Sequence, residues 1–362
     1  MIISISGSVC TRRWRTHARS LAQNERRKRD RSGMNQGRTE ARGRYELEDR
    51  KARQWDCGQW LSRFSEGGCG DEEVKAATRK ACRKEVWEET RALVSSGSYL
   101  GAGKSMYSFR VSSLRKRQCP WSVKEQGVRR KVHVIEDDIL SCAARLCEMG
   151  QKVAVLNMAC GSCPGGGVCS GAGAQEENLY RRTDICSQME DLRERYYPLK
   201  DAALVTSEVT ILRGREEDGY PYLRTGEHVT VISCAALNKP PLTDTGEGYR
   251  YAEAEQRMRR RVRNVLVAAA HARCEVVLLS AFGCGAYRNP PQVVARLFSQ
   301  ELPWTKLERV IFCIKEDGNS GRVWNPIGNC ESFRRWFPDR CCHVDWRGWQ
   351  CQTCGRQIPE CR

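Results

Sequence analysis

Residues 153–182 read VAVLNMACGSCPGGGVCSGAGAQEENLYRR, and this stretch decides the predicted fold. The apolar run of residues 153–156 is too short for a helix and predicts a buried strand. The loop after it consists almost entirely of small residues and contains the glycine triplet Gly165, Gly166 and Gly167. Because glycine has no Cβ, such a loop lets backbone N–H groups approach an anion closely. The stretch therefore predicts a strand followed by an anion-binding loop.

Two adjacent carboxylates follow this loop. Gln175, Glu176 and Glu177 come seven residues after the triplet, and residues 178–182 are expected to begin or continue a helical turn. Neighbouring carboxylates beside an anion-binding loop are not typical of core packing. They predict a functional site at the end of the strand.

The segments around this stretch follow the order of a layered α/β fold. Residues 131–135 alternate as a short strand, Asp137 or Asp138 caps the next helix, and Gly150 ends it. That helix leads into the strand at residues 153–156, and so short a crossover predicts parallel pairing. Helices are also expected at residues 72–94 and 253–271, and strands at residues 203–212, 228–235, 275–279 and 309–314.

A second glycine loop follows the strand at residues 275–279. Residues 282–290 read FGCGAYRNP. Glycine loops at the carboxyl ends of neighbouring parallel strands converge on one crevice. The two loops are therefore expected to form a single site.

The joint pattern resembles a known family. GGG followed by seven residues and QEE is similar to the signature of the microbial-type poly(ADP-ribose) glycohydrolases, whose fold is a macrodomain. The similarity extends in the same order over residues 90–108, 137–150, 229–238 and 280–290, and it covers roughly residues 81–338. It implies a three-layer α/β/α macrodomain with a mixed, largely parallel sheet and an N-terminal helical extension.

The resemblance also implies roles for individual residues. Glu177 is the expected general acid and base, and Glu176 is expected to orient the ribose hydroxyls. Asn157 is an expected ribose contact, and Tyr287 is expected to stack on the distal ribose. The resemblance implies neither a metal nor another cofactor. The remaining expected substrate-binding residues are Gly165, Gly166, Gly167, Gln175, Gly283, Cys284, Gly285 and Ala286.

The implied reaction is hydrolysis of the ribose–ribose O-glycosidic bonds of poly(ADP-ribose), which releases ADP-ribose. Two alternatives use the same pocket: a reader that binds ADP-ribose without cleaving it, and an enzyme that removes single ADP-ribose units from proteins. The adjacent carboxylates favour an enzyme, because a reader has no need of them. Two residues depart from the family pattern, since Cys163 replaces an asparagine before PGGG and Cys160 replaces a second amide. These departures concern substrate affinity rather than the class of reaction.

The positive charge of the chain is concentrated near its N-terminus. Residues 1–130 contain 30 basic and 15 acidic residues, so they carry +15 of the net charge of +17. The composition of residues 1–80 predicts a disordered basic arm attracted to poly(ADP-ribose) or nucleic acid, although an inert solvated tail has the same composition. The expected domains are the arm at residues 1–80, the macrodomain with its extension at residues 81–338 and a Cys/Trp-rich tail at residues 339–362.

The 21 cysteines bear on the compartment in which the protein works. The first residues make a poor secretory signal, and no run approaches the ~18 apolar residues of a membrane helix. Several cysteines lie in the predicted site loops, where the residue acts as a small hydrophobe. These features predict a reducing intracellular location, cytoplasmic or nuclear, without a membrane partner. In the tail, Cys351 and Cys354 with Cys341 or His343 fit either zinc ligation or free thiols in a loosely ordered tail.

Overall fold

A seven-stranded sheet forms the centre of the computed structural model. The structure describes residues 55–66, 71–97, 99, 106–112, 130–338, 346–347 and 350–351. Its helices are α1 (Cys57–Glu66), α2 (Glu72–Ser96), α3 (Ile139–Glu148), α4 (Gln175–Arg182), α5 (Met189–Tyr196), α6 (Ala252–Ala272), α7 (Pro291–Glu301) and α8 (Asn329–Arg334). None of these described helices is long and apolar enough to cross a membrane.

The strands of the sheet are β1 (Ser108–Ser112), β2 (Lys131–Ile135), β3 (Val153–Met158), β4 (Ala202–Arg213), β5 (Tyr222–Cys234), β6 (Val276–Leu279) and β7 (Arg309–Cys313). Their order is β1-β4-β5-β3-β6-β7-β2. The five strands from β5 to β2 in this order run parallel to one another, and β4 pairs antiparallel with both β5 and β1. The expected mixed, largely parallel sheet is therefore confirmed. A separate two-stranded antiparallel sheet consists of β8 (Trp346–Arg347) and β9 (Gln350–Cys351).

Alternate residues of β3 pack on opposite faces of the sheet. Ala154 and Leu156 belong to an apolar cluster with α6, α7 and α8. Val153 and Val155 belong to a second cluster, with α2, α3 and α4. Because a parallel strand that is covered on both faces needs apolar side chains throughout, its sequence is a continuous apolar run. The expected three-layer α/β/α architecture is confirmed.

Strand β2 does not lie beside β3, although a single helix connects them. It pairs in parallel with β7, and β3 lies between β5 and β6. The prediction of parallel direction is right, and the expectation of direct pairing is wrong. The burial of the strands explains the difference, because β2 is only half-buried over its first three residues, whereas the central strand β3 is buried almost throughout. The cap of α3 is Asp138, whose side chain accepts a hydrogen bond from the Ser141 N–H at 2.8 Å.

The folded part of the chain begins earlier than the sequence predicts. Helix α1 and the first turns of α2 lie inside the segment expected to be a disordered arm. Trp60 is fully buried, its indole N–H donates to the Cys82 carbonyl at 3.0 Å, and its ring meets Tyr220 edge-on at 5.2 Å. The expectation of disorder therefore does not hold for residues 55–66, whereas the helix expected from residue 72 is confirmed and extends the folded part across the predicted boundary at residue 80. Trp60, Leu61 and Phe64 form a short apolar pattern at helical spacing, with the rings of Trp60 and Phe64 stacked at 4.6 Å, and the sequence analysis missed it. Residues 1–54 lie outside the described residues.

Replacing Trp60 by alanine is expected to lower the free energy of unfolding by about 3–5 kcal/mol, because truncating a buried aromatic side chain leaves a cavity beside Tyr220. Urea unfolding followed by circular dichroism measures the change. The exposed neighbour on the same helix provides the control, and Gln59→Ala should alter stability by less than about 0.5 kcal/mol. Equal stability of Trp60→Ala and wild type would contradict the packing of α1 on the domain.

Candidate active site

A cavity of about 610 Å³ lies beyond the carboxyl ends of β3 and β6. Both glycine loops contribute to its wall, so the predicted convergence of the loops is confirmed. Three of the predicted site residues, Asn157, Gly165 and Cys284, lie behind the wall rather than in it. The predicted site residues that line the cavity are Gly166, Gly167, Gln175, Glu176, Glu177, Gly283, Gly285, Ala286 and Tyr287.

Gln175 fastens the start of helix α4 to the end of strand β3. Its Nε2 donates to the Leu156 carbonyl at 2.9 Å, and its Oε1 accepts from the Met158 N–H at 2.8 Å. The amide oxygen and nitrogen are thus both engaged by the backbone of β3. The main effect of this side chain is to place the two glutamates that follow it.

Glu176 is almost completely buried and is held by the loop that precedes it in the chain. Its Oε2 accepts from the Cys160 N–H at 2.7 Å, and its Oε1 accepts from the Gly165 N–H at 3.1 Å. Burial raises the pKa of Glu176 to about 8, and the charge of Glu177 acts in the same direction, while the two N–H donors oppose the rise. The carboxyl of Glu176 is therefore largely protonated at neutral pH.

Glu177 has one anchored oxygen and one unpaired oxygen. Its Oε1 accepts from the Gly167 N–H at 2.9 Å. Its Oε2 is buried and has no hydrogen-bond partner among the described residues. The carboxyl of Glu177 is thus oriented through one oxygen, and because the residue lines the cavity, a bound group that reaches the unpaired Oε2 can exchange a proton with it.

The glycine triplet holds the protein's own carboxyl groups. The N–H groups of Gly165 and Gly167 are taken by Glu176 and Glu177, respectively. Within the described residues, the N–H of Gly166 has no acceptor. The triplet was expected to bind an external anion through its amides, yet only Gly166 keeps an N–H for that purpose.

The second glycine loop is shaped by Asn289, a buried residue to which the sequence analysis assigned no role. Its Nδ2 donates to the carbonyls of Leu237 and Gly283 at 2.8 and 2.9 Å, and its Oδ1 accepts from the Tyr249 hydroxyl at 2.9 Å. These bonds hold the loop open toward the cavity. In the described part of the chain, the N–H groups of this loop that lack an acceptor are those of Phe282 and Gly283 and the three consecutive groups of Gly285, Ala286 and Tyr287.

Asn157 and Cys284 do not reach the cavity. Asn157 is fully buried, its Nδ2 donates to the Ser233 hydroxyl at 3.1 Å, and its Oδ1 has no partner among the described residues. Cys284 is fully buried in the cluster formed with α6 and α7, and burial raises the pKa of its thiol. In this structure the side chains of Asn157 and Cys284 therefore pack in the protein interior behind the site and do not line the cavity.

Arg83 on helix α2 completes the wall from the N-terminal side, and the sequence analysis missed it. Its Nε and Nη2 both donate to Glu216 at 2.8 Å. Its guanidinium covers Gly173, where an added Cβ would lie 2.5 Å from the guanidinium carbon. The available signal was helical spacing, because Arg83 precedes the buried Trp87 by one turn on the same face. The other charged residues of the wall are Asp137, Asp138, Glu217, Lys315, Glu316 and Asp317.

The described residues contain no group of three or more His, Cys, Asp and Glu side chains placed to hold a metal ion. The ligands considered for zinc in the tail have side chains outside the described part of the chain, so that alternative stays a prediction.

A family model matches the part of the chain that carries the two glutamates. Residues 87–211 match the microbial-type PARG catalytic domain, where PARG denotes poly(ADP-ribose) glycohydrolase. This range includes the first glycine loop and α4 and ends before the second loop. The resemblance recognised in the sequence is confirmed. No curated protein matches the chain.

Solved structures of bacterial poly(ADP-ribose) glycohydrolases share the fold. The enzyme from Thermomonospora curvata is 24% identical, with a TM-score of 0.55, and the match covers 70% of this chain and 99% of that chain. The enzyme from Deinococcus radiodurans in complex with ADP-ribose is 25% identical, with a TM-score of 0.52, and the match covers 65% of this chain and 95% of that chain.

We expect Glu176 to lower the stability of the protein as the pH rises from about 4.5 to about 8, because the folded state keeps a proton that the unfolded chain releases. Urea unfolding at a series of pH values should show a shallower fall in Glu176→Gln than in wild type. Carboxyl-carbon NMR reports the pKa of Glu176 directly.

The exposed Glu190 supplies the control for this titration, since Glu190→Gln should leave the pH dependence of stability unchanged. Titration of Glu176 near the ordinary glutamate value would show that its carboxyl is solvated rather than buried.

Proposed function

Because this chain contains a catalytic domain of the microbial-type poly(ADP-ribose) glycohydrolase family, we propose that it hydrolyses the ribose–ribose O-glycosidic bonds of poly(ADP-ribose) and releases ADP-ribose. The observation that carries the proposal is the geometry of Glu177, anchored through Oε1 and unpaired at Oε2 in the cavity wall. The similar Deinococcus radiodurans enzyme, which binds ADP-ribose, supports this class of ligand.

Glu177 acts as the general acid and then as the general base. In its protonated form, Oε2 gives a proton to the departing ribose oxygen while the anomeric carbon gains oxocarbenium character. The resulting carboxylate then takes a proton from the water that attacks the anomeric carbon. The hydrogen bond from Gly167 to Oε1 keeps the carboxyl in place through both steps.

Glu176 orients the ribose beside Glu177. Its two oxygens each accept one backbone N–H, and in the neutral form the carbonyl oxygen retains a lone pair and the protonated oxygen an O–H donor for ribose hydroxyls. Since the carboxyl is largely neutral near pH 7, it adds little repulsion toward the diphosphate of the substrate. Ionisation above pH 8 is expected to weaken binding of this anionic ligand.

The diphosphate lies against the second glycine loop and Gly166. Three consecutive N–H groups, from Gly285, Ala286 and Tyr287, lack acceptors among the described residues and suit an anion. The ring of Tyr287 lines the cavity and packs on the distal ribose. The amides of Gly165 and Gly167 are not available for this purpose, because they hold the glutamates.

We assign the protein to a reducing intracellular compartment, the cytoplasm or the nucleus. The 13 cysteines whose side chains the structure describes are all free thiols, which is typical of such a compartment. Attraction of the basic arm to poly(ADP-ribose) or nucleic acid rests on charge alone, because residues 1–54 lie outside the described residues.

Replacing the proposed acid by its amide tests the mechanism. Glu177→Gln is expected to reduce release of ADP-ribose from poly(ADP-ribose) by about 10²- to 10⁴-fold, because only the proton donor is lost. Binding of ADP-ribose, measured by calorimetry, should remain. Turnover near wild type in Glu177→Gln, with loss in Glu176→Gln, would transfer the acid role to Glu176.

The same assay distinguishes the alternatives. Wild-type protein is incubated with the polymer and with a mono-ADP-ribosylated protein, and the products are separated by chromatography. Release from the polymer supports the proposal. Release from the mono-ADP-ribosylated protein alone identifies a mono-ADP-ribosyl hydrolase, and binding without release identifies a reader.

Gly166 provides a second test, because it lies directly against both glutamates. Its φ is +50°, and a Cβ there would come within 2.5 Å of Glu177 Oε1 and 2.9 Å of Glu176 Oε2. Gly166→Ala is therefore expected to displace the carboxyls and lower kcat by about 10²-fold. Gly318→Ala is the control, since a Cβ at Gly318 meets nothing within 4 Å. Full activity of Gly166→Ala would contradict the contact between loop and glutamates.

A further inference from the structure

Two thiols lie next to each other in the loop that holds Glu176. Cys160 and Cys163 are separated by two residues, and their Sγ atoms are 4.0 Å apart. Both are partly exposed free cysteines, and Cys160 lines the cavity. Two sulfur atoms at this distance need only a small rearrangement to reach the ~2.05 Å of a disulfide bond.

The surroundings of the two thiols shift their pKa values in opposite directions. Burial tends to raise the pKa of Cys160, but hydrogen bonds from the Ser162 hydroxyl and from the N–H groups of Ser162 and Cys163 outweigh burial and lower it. Burial and the charge of Cys160 raise the pKa of Cys163 to about 11. Cys160 is therefore suited to attack an oxidant as a thiolate, and Cys163 to attack Cys160 afterwards.

We propose that Cys160 and Cys163 form a redox pair, whose oxidation by a small disulfide closes a bond across the catalytic loop and switches the site off. The thiolate of Cys160 attacks the oxidant, whose S–S bond breaks as a mixed disulfide forms and one thiolate leaves. Cys163, after losing its proton, attacks the sulfur of Cys160, so that the protein disulfide forms and the second thiolate of the oxidant leaves. Two electrons and two protons pass from the protein to the oxidant, and a dithiol reductant reverses the exchange.

The position of the pair explains why closure affects the site. The backbone of the same loop donates to Glu176 from Cys160 at 2.7 Å and from Gly165 at 3.1 Å. Bond formation draws the sulfurs together by roughly 2 Å and shifts the segment between these donors. Misplacement of a catalytic group by about 1 Å costs on the order of 10²-fold in rate. This effect on hydrolysis rests on the function proposed above, whereas formation of the bond does not.

Disulfide formation and activity are measured in parallel on the full chain. The protein is equilibrated in mixtures of reduced and oxidised dithiothreitol, free thiols are alkylated, and peptides are mapped by mass spectrometry. We expect the peptide containing both cysteines to lose two hydrogens and release of ADP-ribose to fall at least about 10-fold, with recovery on reduction. Carboxyl-carbon NMR of Glu176 should register the change in the loop without any substrate.

The variants separate this pair from the other cysteines. Cys163→Ser, or Cys163→Ala if the first variant folds poorly, should stay active when reduced and lose its sensitivity to the oxidant. Cys169→Ser removes an exposed thiol of the same loop and should behave as wild type. A pair that stays reduced while other cysteines oxidise overturns the proposal, as does a disulfide that leaves both hydrolysis and the Glu176 signal unchanged. If the reduced wild type releases no ADP-ribose, the proposed function is wrong. Peptide mapping and NMR still test whether Cys160 and Cys163 form a disulfide that changes the environment of Glu176, because neither measurement needs substrate.

Discussion

The structure of the site depends on one constraint: two neighbouring glutamates are buried side by side, and each must be given hydrogen-bond donors. A buried carboxyl without donors is strongly destabilising, and a second carboxyl next to it adds repulsion. The first glycine loop supplies the donors from its own backbone, through the N–H groups of Cys160, Gly165 and Gly167. The loop must therefore wrap closely around the side chains, and at Gly166 there is no room for a Cβ. The main role of the glycines in this loop is therefore to let the backbone come close to the carboxyl groups of Glu176 and Glu177.

This constraint also explains why two departures from the family pattern leave the proposed acid in place. Cys160 holds Glu176 through its backbone N–H, a group that every residue except proline possesses. The loss of a side-chain amide at Cys160 or Cys163 therefore does not remove a donor to the glutamates. It removes side-chain amides that could form hydrogen bonds to a ligand, and it places two thiol groups next to the site.

The back of helix α4 is fixed by buried arginines that tie it to helix α2, to the cap of α3 and to Tyr220. Arg182 forms an ion pair with Asp138 at 2.8 Å, with both side chains largely buried. Arg181 donates to the Tyr220 hydroxyl at 3.0 Å, and its carbonyl accepts from the Thr90 hydroxyl at 2.8 Å. Thr90 lies on α2, so that helix supports the glutamates from behind, and Arg83 on the same helix lines the cavity. The N-terminal extension is thus part of the site. The ion pair between Arg182 and Asp138 also contributes, because removing one partner of a buried pair leaves the other charge buried without compensation.

Local pattern was enough to identify six of the seven strands of the sheet, to restrict the cap of α3 to Asp137 or Asp138, and to identify the two glycine loops and the glutamate pair, because each depends on residues close together in the chain. The apolar run of β3, for example, follows directly from burial on both faces of the sheet. Only the tertiary structure decided that β2 pairs with β7, that Trp60 anchors α1, and that Arg83 and Asn289 shape the cavity, since these contacts join residues far apart in sequence. The sequence identified Glu176 and Glu177 as a pair but could not distinguish their environments. Their difference arises from which N–H groups and which neighbouring side chains surround each carboxyl, and these surroundings exist only once the loop has folded against α4.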